Sequence, residues 1–292
     1  IDDKRLFSFL IIGLFILFSI SLNKEKLCIS LNGKILQNDF YYQMEKANSD
    51  RGRLLTKNCK IYTRSINKEF LKKFEQCKSK YNNSILIIGD SHADDLFNAF
   101  VLNYPEHKFV VGVGKGGCKI YENKYECPYE KIIDFYLKNP NIFKYIFFTQ
   151  IGSDYLTGTY KLPVQKNKIK KIVSYLNNFN GVKTKVVWFG PQPEPGILMN
   201  SYQAIRVIKS KKYDLYENTK VKYVDEEMSK IAEDEGIIYI SKIDNIKYQP
   251  NKDFFVENNF TYSDTDHWTN FGEKFFGARL LNSEIFKKIY SK

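Results

Sequence analysis

The chain has 292 residues, of which 43% are hydrophobic and 16% are aromatic, including 23 Phe and 21 Tyr. This composition supplies a packed interior and excludes an intrinsically disordered chain, and the length predicts one principal domain with an appendage. The net charge of +12 lies on lysines scattered along the whole sequence, without the basic stripe and interleaved stacking residues of a nucleic-acid site. We therefore expect no nucleic-acid partner. The charge predicts a basic solvated surface or, alternatively, attraction to anionic glycans or lipid head groups.

An apolar run near the start of the chain predicts a membrane segment. Residues 6–22 contain no charge, and their 17 positions are near the lower limit for a helix that spans a bilayer. A signal peptide is the alternative, but no small-residue cleavage site closes the run, which favours an uncleaved helix. Because Lys4 and Arg5 precede it and Lys24 and Lys26 follow it, the flanking charges orient it only weakly. The first residue is Ile rather than Met, so we expect a fragment or a processed form, with further membrane helices upstream.

The remaining sequence divides into two parts. Residues 27–83 are polar, rich in Asn and Lys and without clear periodicity, and they predict a linker with a disulfide-strapped lead-in. Residues 84–292 show the alternating pattern of an α/β domain. The predicted organisation is therefore a transmembrane helix with its flanks over residues 1–26, this lead-in, and one α/β domain.

Within residues 84–292, short apolar runs predict buried strands, and longer stretches with apolar residues at helical spacing predict helices. The predicted strands are 84–88, 108–113, 145–149, 185–189 and 237–241, and the predicted helices lie near 93–102, 130–138, 165–178, 213–235 and 270–288. A long irregular loop is expected over 248–259. Strands that alternate with helices predict a parallel sheet covered on both faces, and ligands in such sheets bind at the carboxyl ends of the strands.

The first predicted strand leads directly into the sequence GDSH, at residues 89–92, and a helix is expected to begin at Ala93. Ser91 therefore stands on a turn at the carboxyl edge of the sheet. There its hydroxyl and its own N–H face the positive end of the helix dipole, which suits a developing oxyanion. An ordinary N-cap is the alternative role, because serine and aspartate are preferred at that position.

A second group of polar residues, with the sequence DTDHW, precedes the last predicted helix. Asp264 stands three residues before His267 and can reach its ring, so the two supply the base and the orienting acid that a nucleophilic serine needs. A capping or packing role for His267 is the alternative. His107 lies in a loop without an acidic motif and His92 follows the candidate nucleophile, whereas Asp266 is assigned to a surface or helix-capping role.

The cysteines predict two disulfides and no metal site. They lack the CxxC pairs and histidine partners that a zinc site needs, so we expect no metal. Cys59 with Cys77, and Cys118 with Cys127, close short loops of the kind that domains outside the cytosol use. Cys28 is left over beside the membrane segment, as a free thiol or a partner for another chain. The alternative is that all five are reduced core residues.

The GDSH sequence after the first strand and the DxxH sequence near the C-terminus resemble blocks I and V of the SGNH hydrolase superfamily, over roughly residues 84–280. The cysteine pairs, the membrane helix and the sequence DTDHWTNFG most resemble the SGNH domain fused to acyltransferase-3 proteins that O-acylate surface polysaccharides. The motifs also resemble the plant-type PC-esterases that act on O-acetyl groups of cell-wall glycans. The resemblance to the acyltransferase-3 group implies a three-layer, flavodoxin-like sandwich on the periplasmic face of a bacterial inner membrane. One transmembrane helix would anchor it, with an integral acyltransferase part upstream.

Two blocks of the superfamily depart from its pattern here. The block II glycine has several candidates within GVGKGG, at residues 112–117, and we favour Gly117 because it directly precedes Cys118. The asparagine of the block III GxND sequence is absent. Gln150 stands at its place and is a candidate oxyanion donor beside the N–H groups of Ser91 and Gly117; its alternative role is a polar group at a strand end that faces solvent.

The Ser91, Asp264 and His267 pattern predicts acyl transfer through an acyl-serine intermediate, and the resemblance implies that the acyl group, most simply acetyl, goes to a carbohydrate on the cell surface. The alternatives are a carbohydrate O-acetyl esterase that uses the same residues with water, and a non-catalytic glycan-binding module. An acyl donor and a carbohydrate acceptor are the expected partners, and no cofactor is expected. Tyr155, Tyr160 and Trp268 are candidates for a sugar-stacking platform, although core packing explains most aromatics in such a chain.

Overall fold

The computed structural model describes residues 39–50, 52–122, 126–157, 161–179, 181, 183–195 and 220–290, together with the single positions Gly13, Ser19 and Ser21. Apart from those three positions, the predicted membrane segment lies outside the described residues, as do Cys28 and Tyr160. Among the residues that are described, no helix combines the length and the apolar character needed to cross a membrane.

The described residues form strands and helices in alternation, as the apolar pattern predicts. The strands are β1 Lys60–Thr63, β2 Ser84–Gly89, β3 Val110–Gly114, β4 Phe143–Thr149, β5 Leu156–Thr157, β6 Lys161–Val164, β7 Lys185–Phe189, β8 Ile238–Ile240, β9 Phe255–Val256 and β10 Asn259–Phe260. The helices are α1 Asp39–Asp50, α2 Lys68–Lys78, α3 His92–Asn103, α4 Tyr129–Leu137, α5 Lys166–Leu176, α6 Lys220–Asp234, α7 Lys242–Ile246, α8 Pro250–Asp253, α9 Asn270–Leu281 and α10 Glu284–Tyr290.

Six parallel strands form the central sheet in the order β1-β3-β2-β4-β7-β8. From β2 onward, this is the 2-1-3-4-5 order of flavodoxin-like sheets, so the predicted α/β class with a central parallel sheet is confirmed. The order of successive strands reverses at β2: the chain goes from β2 to β3 on one side of it and then to β4 on the other. Ligands of such sheets bind outside the carboxyl ends of the strands at this point.

Both faces of the sheet are covered, because successive side chains of a strand point to opposite faces and β2 is apolar along its length. Ile85 and Ile87 pack under α3, α9 and α10 in one core, whereas Leu86 and Ile88 pack under α2, α4, α5 and α6 in the other. The near-continuous apolar run of β2 is typical of a strand buried on both faces.

The α/β unit begins earlier than the predicted boundary at residue 84. β1 pairs in parallel with β3, with Ile61 opposite Val111, and so extends the central sheet into the segment interpreted as a lead-in. The run KIYT is only four residues long and half-buried at the sheet edge, so it carries too little apolar signal to stand out from its polar surroundings. The disulfide Cys59–Cys77 fastens the start of this strand to the end of α2.

The second predicted disulfide, Cys118–Cys127, is also formed, which confirms both pairings. Two other expectations are corrected. The last predicted helix is interrupted at Asn282 and Ser283, between α9 and α10, and the expected irregular loop over 248–259 contains α8 and the β9–β10 hairpin. A hairpin with two-residue strands is too short to produce a readable alternation of apolar residues.

Candidate active site

The turn that carries Ser91 follows β2 directly. Asp90 closes it from below, because its carboxylate accepts the N–H of His92 at 2.9 Å and that of Ile151, after β4, at 3.1 Å. Ser91 occupies the N-cap position of α3, yet its side chain makes no capping hydrogen bond. Its Oγ instead lies 2.7 Å from Nε2 of His267, so the side chain is turned toward the imidazole rather than toward the helix.

The DTDHW loop holds His267 in a fixed orientation. Oδ1 of Asp264 accepts the backbone N–H groups of Asp266 and His267 at 3.0 and 2.7 Å, and Oδ2 lies 2.9 Å from Nδ1 of the His267 ring. The carboxylate therefore sets both the backbone turn and the ring. Since Nδ1 faces a carboxylate, it carries the proton in the neutral ring, and Nε2 is left to accept one from Ser91.

Both ends of this loop are fixed by the backbone. Tyr262 and Trp268 form an isolated antiparallel bridge, and the Thr269 hydroxyl accepts the N–H of Gly272 to cap α9. A side chain at Gly272 would collide with the carbonyl oxygen of Thr261, since its Cβ would lie 1.9 Å away. The sequence TNFG after DTDHW therefore allows α9 to begin against the loop and to pack along α3.

The pKa of His267 is raised from 6.5 to about 10. Burial alone would lower it, but the hydrogen bond to Asp264 and the negative charges of Asp95 and Asp266 outweigh that effect. Burial would likewise raise the pKa of Asp264, yet the hydrogen bond and the charge of His267 hold it below its ordinary value. The ring is a strong base surrounded by carboxylates that favour its protonated form.

A second Asp–His pair, missed by the sequence analysis, lies directly behind the first. Nε2 of His92 is 3.0 Å from Oδ2 of Asp266, and the rings of His92 and His267 have centroids 5.0 Å apart. His92 is completely buried and Asp266 is 8% exposed. The surface or helix-capping role assigned to Asp266 is therefore wrong, because its carboxylate faces an imidazole brought there by α3.

A buried polar cluster supports the loop from the sheet. Gln192, in the segment GPQPEP after β7, donates to Oδ2 of Asp95 at 2.8 Å and to the carbonyl of Asp266 at 2.5 Å. The same Oδ2 accepts the N–H of Trp268 at 3.2 Å, and Lys242 reaches Oε1 of Gln192 at 3.3 Å. Burial lowers the pKa of Lys242 to about 8 against the pull of the surrounding carboxylates. A polar residue in a proline-rich segment directly after a buried strand was the available sequence signal for Gln192.

The turn after β3 brings Gly116 beside Ser91. The N–H of Cys118 bonds the carbonyl of Lys115 at 3.1 Å, and Gly117 has φ +74°, the left-handed conformation that this turn type requires at its third position. A Cβ built on Gly116 would lie 3.6 Å from Cβ of Ser91, whereas one on Gly117 would meet nothing within 4 Å. The Gly116–Gly117 backbone therefore runs beside Ser91.

Gln150 is buried rather than facing solvent. Its amide donates to the Tyr129 hydroxyl at 2.7 Å and accepts from the Tyr155 hydroxyl at 2.5 Å. These contacts hold the side chain between two tyrosines below the turn after β4. They favour a structural role for Gln150 over the oxyanion role expected from its place in the sequence.

The aromatic residues considered for a sugar platform are core residues. Trp268 is 1% exposed and packs at a tilt against Phe276, and Tyr155 is fully buried against Tyr121. Neither ring offers a free face, so the stacking expectation for these two residues is wrong.

Three of the site residues form a set that could also ligate a metal. His92, Asp266 and His267 each offer one ligand atom, and these atoms lie within 4.8 Å of one another. Two imidazoles and a carboxylate are donors that Zn²⁺ accepts, although both ring nitrogens of His267 are already hydrogen-bonded. The expectation of no metal was drawn from cysteine spacing, which does not bear on this set, and it stays a prediction.

The order of the motifs, the sheet and the site agree with a known family. A family model described as "SGNH domain (fused to AT3 domains)" matches residues 59–282. The chain belongs to this family. The match begins one residue before β1, in agreement with the earlier start of the α/β unit.

Several solved structures align with the chain. The periplasmic domain of a lipopolysaccharide acetyltransferase from Salmonella ser. Paratyphi A aligns with a TM-score of 0.61 and 17% identity, over 87% of this chain and 98% of that chain. A carbohydrate acetylesterase from Sinorhizobium meliloti aligns with a TM-score of 0.46 and 10% identity, over 72% of this chain and 99% of that chain. A putative SGNH hydrolase from Slackia heliotrinireducens has a TM-score of 0.46 and 12% identity, over 68% and 96%. No curated protein matches the chain.

Proposed function

We propose that this SGNH domain transfers an O-acyl group, most simply acetyl, to a hydroxyl of a cell-surface polysaccharide through Ser91, His267 and Asp264. The observation that carries the proposal is the continuous chain of contacts from Ser91 Oγ through the His267 ring to Asp264, at 2.7 and 2.9 Å. Nucleophile, base and orienting acid are within hydrogen-bond reach in the order that serine acyl transfer requires.

The reaction balances through one proton carrier. Ser91 Oγ attacks the carbonyl of the acyl donor, and its proton passes to Nε2 of His267. The tetrahedral intermediate breaks down when His267 gives that proton to the departing donor oxygen, which leaves the acyl ester on Ser91. A glycan hydroxyl then attacks the ester, and His267 takes its proton and returns it to Ser91 Oγ as the acylated glycan is released.

The negative oxygen of each tetrahedral intermediate needs N–H donors that are in place beforehand. We assign this role to the backbone N–H of Ser91, at the start of α3, and to the Gly116–Gly117 backbone beside it. The helix dipole adds to the first of these donors. Gly117 remains the proposed block II residue, whereas the contacts of Gln150 do not support a third donor at that position.

We also propose that the domain works outside the cytoplasm, tethered by residues 6–22. Both disulfides are typical of an oxidising compartment. The Salmonella domain with the same fold is periplasmic and belongs to a lipopolysaccharide acetyltransferase, and the family is named for its fusion to AT3 domains. An integral acyltransferase partner and a carbohydrate acceptor follow from this placement as parts of the proposal.

The test is acyl release from 4-nitrophenyl acetate by the full chain in detergent, with and without an oligosaccharide acceptor. Ser91→Ala is compared with Ser174→Ala, a matched variant on the exposed side of α5. Nitrophenol release that depends on Ser91 alone, with acetyl recovered on the sugar, supports transfer. Ser91-dependent release with acetyl recovered only as acetate favours the esterase alternative. Equal release by wild type and Ser91→Ala contradicts both enzymatic assignments.

A further inference from the structure

The second Asp–His pair is built from the chain neighbours of the two proposed catalytic residues. His92 follows Ser91, and Asp266 precedes His267, so a contact between residues 174 positions apart joins the nucleophile turn to the base loop. Each partner is anchored: the N–H of His92 bonds Asp90, and the carbonyl of Asp266 accepts from Gln192. The pair is therefore a fixed part of the site rather than a mobile surface contact.

The Asp266 carboxylate faces both imidazoles. Oδ2 lies 3.0 Å from His92 Nε2, whereas Oδ1 lies 3.5 Å from His267 Nδ1 and accepts the Thr265 hydroxyl at 2.6 Å. Asp264 makes the shorter contact to His267 Nδ1, so Asp266 does not replace it as the orienting acid. It adds a second negative charge to the same side of the ring.

We propose that Asp266, held in place by His92, is a positioning residue that strengthens the binding of a proton by His267. The inference rests on the proposed function for its catalytic meaning, but not for its physical content. A carboxylate at this distance from an imidazole favours the charged ring, and its burial limits screening by salt. Burial would raise the pKa of Asp266 itself, but the hydrogen bond with His92 and the charges of both rings hold it well below its ordinary value.

Other charged groups share this environment and bound the effect. Those whose charge acts on His92, Asp266 or His267 come from α3, the disulfide loop, the segment after β7 and the DTDHW loop; they are Asp94, Asp95, Lys119, Glu194 and Asp264. Lys242, from α7, acts on Asp95 and Glu194 in turn. Asp95 acts on both rings through its charge, whereas Asp266 lies within 3.5 Å of a nitrogen of each ring.

The experiment is an NMR titration of the imidazoles in the full chain with labelled histidine. The chain contains three histidines, so a His107→Gln variant completes the assignment. In Asp266→Asn we expect the His267 pKa to fall by roughly one to three units, whereas Asp234→Asn, a control on the exposed end of α6, leaves it unchanged. An unchanged His267 pKa in Asp266→Asn overturns the proposal. If that variant does not fold, Asp266→Ser removes the same charge with a smaller side chain.

His92→Gln separates the charge from the packing. Glutamine retains a donor to Asp266, so the carboxylate stays in place and the His267 pKa should move by less than half of the shift in Asp266→Asn. A shift as large as that of Asp266→Asn would show that disturbance of the pair, rather than the charge, controls His267, and it would contradict the proposal.

The catalytic consequence is read separately, from the pH dependence of Ser91 labelling by a fluorophosphonate. The acid limb should move to lower pH in Asp266→Asn by the shift that NMR measures, and stay in place in Asp234→Asn. Absence of labelling in the wild type counts against the proposed function alone, because the NMR titration still decides the inference about Asp266.

Discussion

The site contains two Asp–His pairs with nearly equal geometry and different surroundings. Asp264 and His267 meet at 2.9 Å, and Asp266 and His92 meet at 3.0 Å. Nε2 of His267 faces the Ser91 hydroxyl at a partly exposed position. His92, in contrast, is completely buried, and its Nδ1 has no hydrogen-bond partner among the described residues. From this difference we infer that an Asp–His contact can serve acid–base chemistry only where the ring also faces a third group at an accessible position, as His267 faces Ser91.

The largest effect should follow from removal of that third group. Ser91→Ala is expected to lower acyl release by about 10,000-fold or more, because no nucleophile remains. The melting temperature should change little, since the hydroxyl makes no capping bond to α3. Rates from 4-nitrophenyl acetate and a thermal melt check both points. A large loss of stability with retained activity would assign Ser91 to the helix cap. The contact with Ser91 would then no longer distinguish the first pair from the second.

Removal of the carboxylate from each pair in turn should separate them next. Asp264→Asn leaves His267 without its orienting acceptor and allows the wrong tautomer, so we expect a loss of acyl release on the order of 1,000- to 10,000-fold. Asp266→Asn should retain at least about a tenth of the wild-type rate, because the shorter contact to Asp264 remains. Steady-state rates on the plateau above the acid limb of each variant measure the difference. Equal losses in the two variants would mean that both carboxylates orient the base.

The sequence was sufficient to predict the first pair but not the second. Asp264 and His267 are three residues apart, and a carboxylate at that spacing can reach the ring through local backbone alone. His92 and Asp266 meet only because α9 packs along α3, a contact between distant segments that no local pattern encodes. Gln192 shows the same limit, since its two acceptors come from α3 and from the DTDHW loop.

The fold shows a parallel contrast between strong and weak local signals. The five predicted strands are all present: four are mostly buried runs of apolar residues, such as Lys185–Phe189, and β8, with three residues, lies in the apolar sequence IIYI. β1 was missed because it is short and half-buried, and the β9–β10 hairpin because its strands have two residues each. Elements that are stabilised by their neighbours rather than by their own apolar pattern could not be predicted from the sequence.

The first pair should also give the protein a pH-dependent stability. The folded-state pKa of His267 is raised from 6.5 to about 10, so its charged form stabilises the fold fully below the unfolded value, and this contribution is lost as pH rises through about 10. We expect wild type to lose on the order of 1 to 3 kcal/mol more than His267→Gln between pH 7 and pH 10, after allowance for partial solvent screening. Urea unfolding at both pH values checks this. Parallel losses in the two proteins would show that the surrounding carboxylates do not hold a charged ring.

The smallest effect tests the oxyanion donors proposed beside Ser91. Gly117→Ala must place a β-carbon at φ +74°, which costs about 1 to 2 kcal/mol or forces the turn to change, and we expect roughly a tenfold slower acylation of Ser91. Gly116→Ala is the matched control, because its Cβ would make only an ordinary 3.6 Å contact with Ser91 and the residue has no positive φ. Single-turnover acylation and thermal melts compare the two. If instead Gly116→Ala acylates more slowly and Gly117→Ala acylates at the wild-type rate, the N–H that faces the oxyanion belongs to a different peptide of the turn. The contact between the turn and Ser91 would then be steric rather than catalytic.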